Sequence, residues 1–410
     1  MDELARRYLL LCLRLERLSP GFVDSYVGPA ELQEIASSEP MPLPAEIHDE
    51  ALALRALTDA LEDRDEASRC RKVWFEGQLR AASALARMAG GEEIGFLGLV
   101  EELFGIPIKP TPEETLARAR DRLDEVLPPG ETLADRRDLL RRTLQVPPDR
   151  AVAAVAESAG RFRALTRRDF GMPDDEEIVW QAARDVPWGA FACFMGQGRT
   201  RIEINVDLPM EISAAAFLAS HEAYPGHHAE HIIKERTLIR ERGLGEATMR
   251  TMNTPEAVIS EGLADVAREV VMSDWELADE LRTIGRSIGI DGDWQAAVVA
   301  RTAFNQLQSA TANASILLYR DGRSEDDVRA YLTEVGAVPA NRIDHSMRVL
   351  RDPIQWTYSF TYSEGERLIR PWLELQGQTT GFARLLSEQL SPAILLADLA
   401  AADAAVGAPA

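Results

Sequence analysis

The 410-residue sequence predicts a large, mainly α, multi-helix fold with one small β-sheet. Three observations predict it. Apolar residues recur at three- and four-residue spacing through most of the chain, and Pro and Gly mark the breaks in that pattern. The two-residue alternation of strands appears in only one stretch, about residues 175–208. With 46% hydrophobic and 27% charged residues, the chain can bury a sizeable core in one large or two closely packed domains.

In chain order, the helical periodicity covers about 2–18, 44–62, 66–88, 92–104, 112–126, 130–144 and 148–169, with turns such as Pro128-Pro129-Gly130 and Pro147-Pro148-Asp149 between the later helices. Glu177 to Trp180 and Arg201 to Val206 then alternate as strands, with Gly196-Gln197-Gly198 as a turn between them. Helices resume at about 210–224, 226–241, 254–272, 292–319, 324–334, 354–371 and 378–403. The division falls near residue 170: an N-terminal helical region, 1–170, and a second region, 171–410, that carries the chemistry described below.

A formal charge of -22 argues against nucleic-acid or anionic-membrane partners, which the average surface repels. It also disfavours an acidic substrate, unless a local basic pocket overrides it. Cys12, Cys70 and Cys193 are odd in number and far apart, which does not read as a disulfide framework, so a reducing cytoplasm is expected. The apolar run near the start is too short for a membrane span, and no cleavage-site pattern follows it. The sequence leaves the oligomeric state open.

Four of the six histidines, His221, His227, His228 and His231, fall within eleven residues. Neutral imidazole is a good Zn²⁺ ligand, and a nearby carboxylate can take a proton from a metal-bound water whose pKa the ion lowers to about 7. His221 and Glu222 supply one of each. Helical zinc sites usually place the second histidine four residues after the first, about 40° around the helix, but Pro225 stands there. Pro225 and Gly226 must widen or break the helix. A two-residue insertion puts His227 in the second ligand's place, the preferred reading; a three-residue adjustment puts His228 there. For the third ligand, Glu261 and Asp265 share one face of the predicted 254–272 helix, so one carboxylate can bind the ion and the other accept the free N–H of a ligating histidine, with Glu256 and Glu269 as competing candidates.

These residues resemble a bacterial family labelled domain of unknown function 885, whose members carry His-Glu-Ala-x-Pro-Gly-His-His followed by a Glu-Gly-Trp-Ala helix. Here the two stretches read His-Glu-Ala-Tyr-Pro-Gly-His-His at 221–228 and Glu-Gly-Leu-Ala at 261–264, Leu263 replacing the usual Trp. The stretch from Arg348 through Tyr362-Ser-Glu-Gly365 is similar to a later Arg- and Tyr-containing region of that family. The resemblance implies a zincin-like metallopeptidase fold akin to Taq-type carboxypeptidases, His227 as second ligand, one Zn²⁺ ion and peptide hydrolysis.

The expected enzyme is therefore a zinc-dependent hydrolase, most naturally a carboxypeptidase-like peptidase acting on a peptide or small amide, with other divalent metals able to take the ion's place. His221, His227 and Glu261 hold the metal and Glu222 is the general base. Tyr362 donates to the oxyanion, with Tyr358 or His345 as alternatives, and Arg348 binds a substrate carboxylate. Strand 201–206 could pair with an extended peptide along its edge. Competing readings are a hydrolase or oxidative enzyme with a non-peptide substrate, and a non-catalytic metal- or peptide-binding protein. A serine elbow at Gly285-Arg286-Ser287-Ile288-Gly289 requires a preceding strand, where the pattern is helical.

Overall fold

Helices occupy nearly all the stretches that the periodicity predicts, and the computed structural model describes residues 1–186 and 188–406. The predicted 378–403 helix is two, Gln378–Ser387 and Pro392–Val406, because Pro392 has no N–H to continue the first. Three further helices are Ala30–Ser38, Asp274–Ile288 and Ala340–Arg351. Ser287 lies in the second of these and donates to the Ile284 carbonyl, so the serine-elbow reading fails on geometry.

The strands are β1 (Val23–Tyr26), β2 (Glu177–Ala183), β3 (Ala190–Gly196), β4 (Arg199–Asn205) and β5 (Met249–Thr251). β2, β4 and β3 form one sheet in that order, β2 parallel and β3 antiparallel to β4. Gly196, Gln197 and Gly198 turn β3 into β4 with positive φ angles. β4 is therefore the central strand, both its edges are filled, and the peptide-docking edge expected there does not exist. β1 pairs antiparallel with β5, tying the N-terminal region to the later half.

Two large cores meet at the helix Pro255–Val271. Val258 packs with Leu9, Phe75 and Phe360, while Ile259, Leu263 and Val266 join Phe162, Ile202 and Trp372. Each such fully buried side chain stabilises the fold by about 1.5–3 kcal/mol. That helix crosses Gln355–Gln376 at a point where both carry glycine. A Cβ on Gly262 would lie 2.6 Å from the Gly365 Cα, and one on Gly365 would lie 2.5 Å from the Val258 carbonyl oxygen. Bare backbone on both sides lets the helices approach to contact, and this crossing positions the site.

Candidate metal centre

The helix Ile212–Leu218 widens into a π-turn over Ala219–Ala223, which carries His221 and Glu222, and the next helix begins at His227. Between them Tyr224 N–H bonds to the Ala219 carbonyl and Gly226 N–H to the Ser220 carbonyl, both at 3.0 Å. A side chain at Gly226 would collide with the His221 carbonyl, so only glycine permits this tight return. The widened turn and the Pro-Gly kink bring the His221 and His227 rings to a centroid separation of 4.8 Å at 89°. Glu261 arrives from Pro255–Val271. Its Oε2 lies 3.3 Å from His221 Nε2 and 3.6 Å from His227 Nε2, and one donor atom from each residue falls within 4.8 Å of the others.

The remaining atoms of these three side chains are held from outside. Tyr358 OH donates to Glu261 Oε1 at 2.6 Å. Asp265 Oδ1 sits 3.1 Å from His221 Nδ1, close but poorly aligned with the ring N–H. His227 Nδ1 lies 3.2 Å from Ser260 Oγ, whose hydroxyl donates to Glu230 Oε2 at 2.6 Å. Lys234 Nζ donates to the other Glu230 oxygen at 2.6 Å. This chain favours the tautomer with Nδ1–H on His227 and leaves Nε2 free as a ligand. The sequence reading missed Glu230, Lys234 and Ser260. Their signals were the i, i+4 spacing of Glu230 and Lys234 and the adjacency of Ser260 to Glu261.

Charge around the cluster is unbalanced. Burial opposes protonation of His221, but Asp265 and Glu261 outweigh it and lift its pKa to about 9. Burial raises the Glu222 carboxyl above its ordinary range, with His221 and His227 pulling it down and Glu261 and Asp265 pushing it up. Asp24 on β1 senses the same cluster: its pKa is pushed up to about 7 by burial first, His227 lowering it and Glu261 raising it. Within the cluster, Glu261 Oε2 is buried without a hydrogen-bond partner. Two imidazole nitrogens and that carboxylate oxygen are a donor set suited to one divalent transition-metal ion, so the residues fit Zn²⁺.

Two sequence expectations are corrected. His228 faces away from this cluster: its Nδ1 meets Thr200 Oγ1 at 2.8 Å and its Nε2 meets Glu176 Oε2 at 2.9 Å, so neither ring nitrogen is free to be the alternative ligand. Arg348 is exposed on Ala340–Arg351 and does not border the cavity beside the site. That cavity, about 1180 Å³, is bordered at its inner end by Ser220, Asp265 and Tyr362. Tyr362 lies 6.4 Å from His221 between ring centroids, whereas Tyr358 is engaged with Glu261. His345 borders the cavity from Ala340–Arg351, beside Arg342. Leu263, where the resembled family has Trp, is buried in the core and makes no wall of the cavity.

No protein-family model and no curated protein matches the chain. Solved structures do. A candidate lipoprotein from Colwellia psychrerythraea is similar at TM-score 0.52 and 12% identity, over 91% of this chain and 69% of that one. A candidate lipoprotein of unknown function from Shewanella oneidensis follows at TM-score 0.50 and 13% identity, over 90% and 76%. A carboxypeptidase from Pyrococcus furiosus has TM-score 0.42 and 12% identity, over 97% and 91%. The first two likenesses extend to the fold and to nothing finer. Among the described residues, no helix is long and apolar enough to cross a membrane.

Proposed function

We propose that this chain is a metal-dependent hydrolase and, within that class, a peptidase that uses one Zn²⁺ ion. The observation that carries this reading is the buried, unpartnered Glu261 Oε2 facing His221 Nε2 and His227 Nε2. His221, His227 and Glu261 would hold the ion, which supplies Lewis acidity to a carbonyl and lowers the pKa of a water. Glu222 takes the proton from the attacking water and returns it to the leaving nitrogen. Its burial keeps that carboxylate more basic than a solvated one. Tyr362, neutral because burial and then Glu261 raise its pKa far above the ordinary phenol value, donates a hydrogen bond to the developing oxyanion. Asp265, Ser260 and Tyr358 fix the orientation of the three ligand side chains. The cavity volume of about 1180 Å³ exceeds the usual small-molecule range and suits a peptide segment.

The test is elemental analysis together with peptide-library cleavage, before and after chelation. One equivalent of metal and chelator-sensitive cleavage are expected. Glu222→Gln should retain the metal while turnover falls by about 10²–10⁴. Absence of bound transition metal, or cleavage indifferent to chelation, would overturn the reading.

A further inference from the structure

The cavity reverses the sign of the chain. Across the sequence Lys and Arg number 45 against 67 Asp and Glu, yet the cavity lining carries ten against seven. The two walls differ. On the side of the metal centre every lining arginine has a carboxylate: Arg268 pairs with Asp274, Arg367 with Glu364, and Arg370 with Glu269 and Glu366. On the opposite side Arg137, Arg141, Arg301 and Arg342 converge from the helices Leu133–Thr143, Trp294–Leu307 and Ala340–Arg351.

Among the described residues, two carboxylates pair with these four guanidinium groups. Glu211 pairs with Arg301, and Asp138 is shared between Arg141 and the neighbouring Arg142. Among the described residues Arg137 and Arg342 have no ion-pair partner. Arg137 instead stacks 3.2 Å from the centroid of Phe304, and Arg301 lies 5.6 Å from the same ring. Arg141 Nη1 and Arg301 Nε are buried donors without acceptors. Burial lowers the Arg137 pKa; Glu211 opposes this, while Arg301, Arg342 and Arg141 reinforce it. Guanidinium remains charged at any physiological pH, so the cluster keeps an uncompensated positive field, and two of its donors, Arg141 Nη1 and Arg301 Nε, meet no protein acceptor.

The distance to the metal centre follows from the chain. Glu211 precedes the first residue of Ile212–Leu218, and His221 lies ten residues after it on the same continuing helix. At about 1.5 Å per residue the two ends are about 15 Å apart. An extended peptide covers that span with about four residues. From these observations we infer that Arg137, Arg141, Arg301 and Arg342 form a distal subsite for a carboxylate of an acidic peptide, about four residues from the bond at the metal centre. Planar guanidinium forks match carboxylates in bidentate fashion, and the local field overrides the repulsion expected from the acidic chain as a whole.

The inference rests on the peptidase reading for what happens at the other end of the cavity, so its test separates the two. Metal-loaded Glu222→Gln protein is titrated calorimetrically with N-acetyl tetraglutamate and with the matched tetraglutamine peptide. Tetraglutamate should bind at least about tenfold more tightly, weaken as salt rises, and lose its advantage when Arg137→Gln and Arg342→Gln are added. Should that double exchange fail to fold, as judged by its thermal melt, Arg342→Gln alone is read the same way with a several-fold loss. Equal affinity for the two peptides, or a preference that survives the exchanges, overturns the subsite. In the wild type, cleavage of peptides with Glu about four residues from the cut should exceed that of Gln counterparts through KM. Selective binding without any cleavage would remove the peptidase reading and leave the subsite standing. Cleavage without charge preference would do the reverse.

Discussion

Two buried clusters of histidine and glutamate each draw residues from both sides of the Pro225-Gly226 kink, and they are built to opposite rules. In the first, Glu176 receives hydrogen bonds from Arg163 at 2.5 Å, Tyr224 at 2.5 Å and His228 at 2.9 Å, and Thr200 occupies the other His228 nitrogen. Every strong group there has a partner. In the second, Tyr358 satisfies one oxygen of Glu261, and the other faces two imidazole nitrogens with no proton donor assigned to it. A closed network stabilises one arrangement of the chain, whereas an open one requires something from outside. His227 and His228 are adjacent in sequence, yet one belongs to each cluster.

Exchanging the adjacent histidines breaks the comparison most sharply. His227→Ala should abolish stoichiometric metal binding and lower turnover by about 10³-fold or more, while His228→Ala should retain the metal and lose stability instead. Metal content and thermal melts of the two variants decide it. Next in size is Asp265→Asn, which removes the carboxylate beside His221 and should weaken metal affinity by about 10–100-fold, read by competition with a chromophoric chelator.

Glu176→Gln tests the closed cluster. Losing one charged partner of a buried network should cost about 3 kcal/mol in denaturant unfolding at neutral pH, with metal content unchanged. Burial alone would raise the Glu176 pKa, but hydrogen bonds from His228, Tyr224 and Arg163 hold it below the ordinary value. Its stabilisation is therefore complete above the unfolded pKa of about 4.3 and disappears as pH falls through the lower folded value. The wild type should lose stability across that acid window, and the variant should lose less. Smallest is Tyr358→Phe, which frees Glu261 Oε1 and should reduce metal affinity by about tenfold without the larger kcat loss expected of Tyr362→Phe.

Much of this was legible in the sequence because helical periodicity and the donor spacing are local signals. The 210–224 and 226–241 helices, the break between them and the pairing of His221 with His227 follow from residues near one another in the chain, while Glu261, on a later helix, was reached through the need for a third ligand and the motif resemblance. β1 and β5 were not legible, since strands of four and three residues are too short to show alternation. β3 was missed because Ala190 to Gly196 is mostly apolar or small on both faces. Arg348 was chosen for its place beside a motif, but that face of its helix is exposed. The four arginines of the distal subsite border the cavity from three helices spread over two hundred residues, and no spacing rule joins positions 137, 301 and 342.

The crossing of Gly262 and Gly365 makes the whole centre depend on a place where no side chain exists. A single methyl group there would act as a shim, tilting Glu261 on one helix away from the Tyr358 and Tyr362 phenols on the other. Drift elsewhere in the two cores can be absorbed by neighbouring residues changing shape. At this point the chain has no slack, so the registration of carboxylate and phenol is governed by the thinnest part of the molecule.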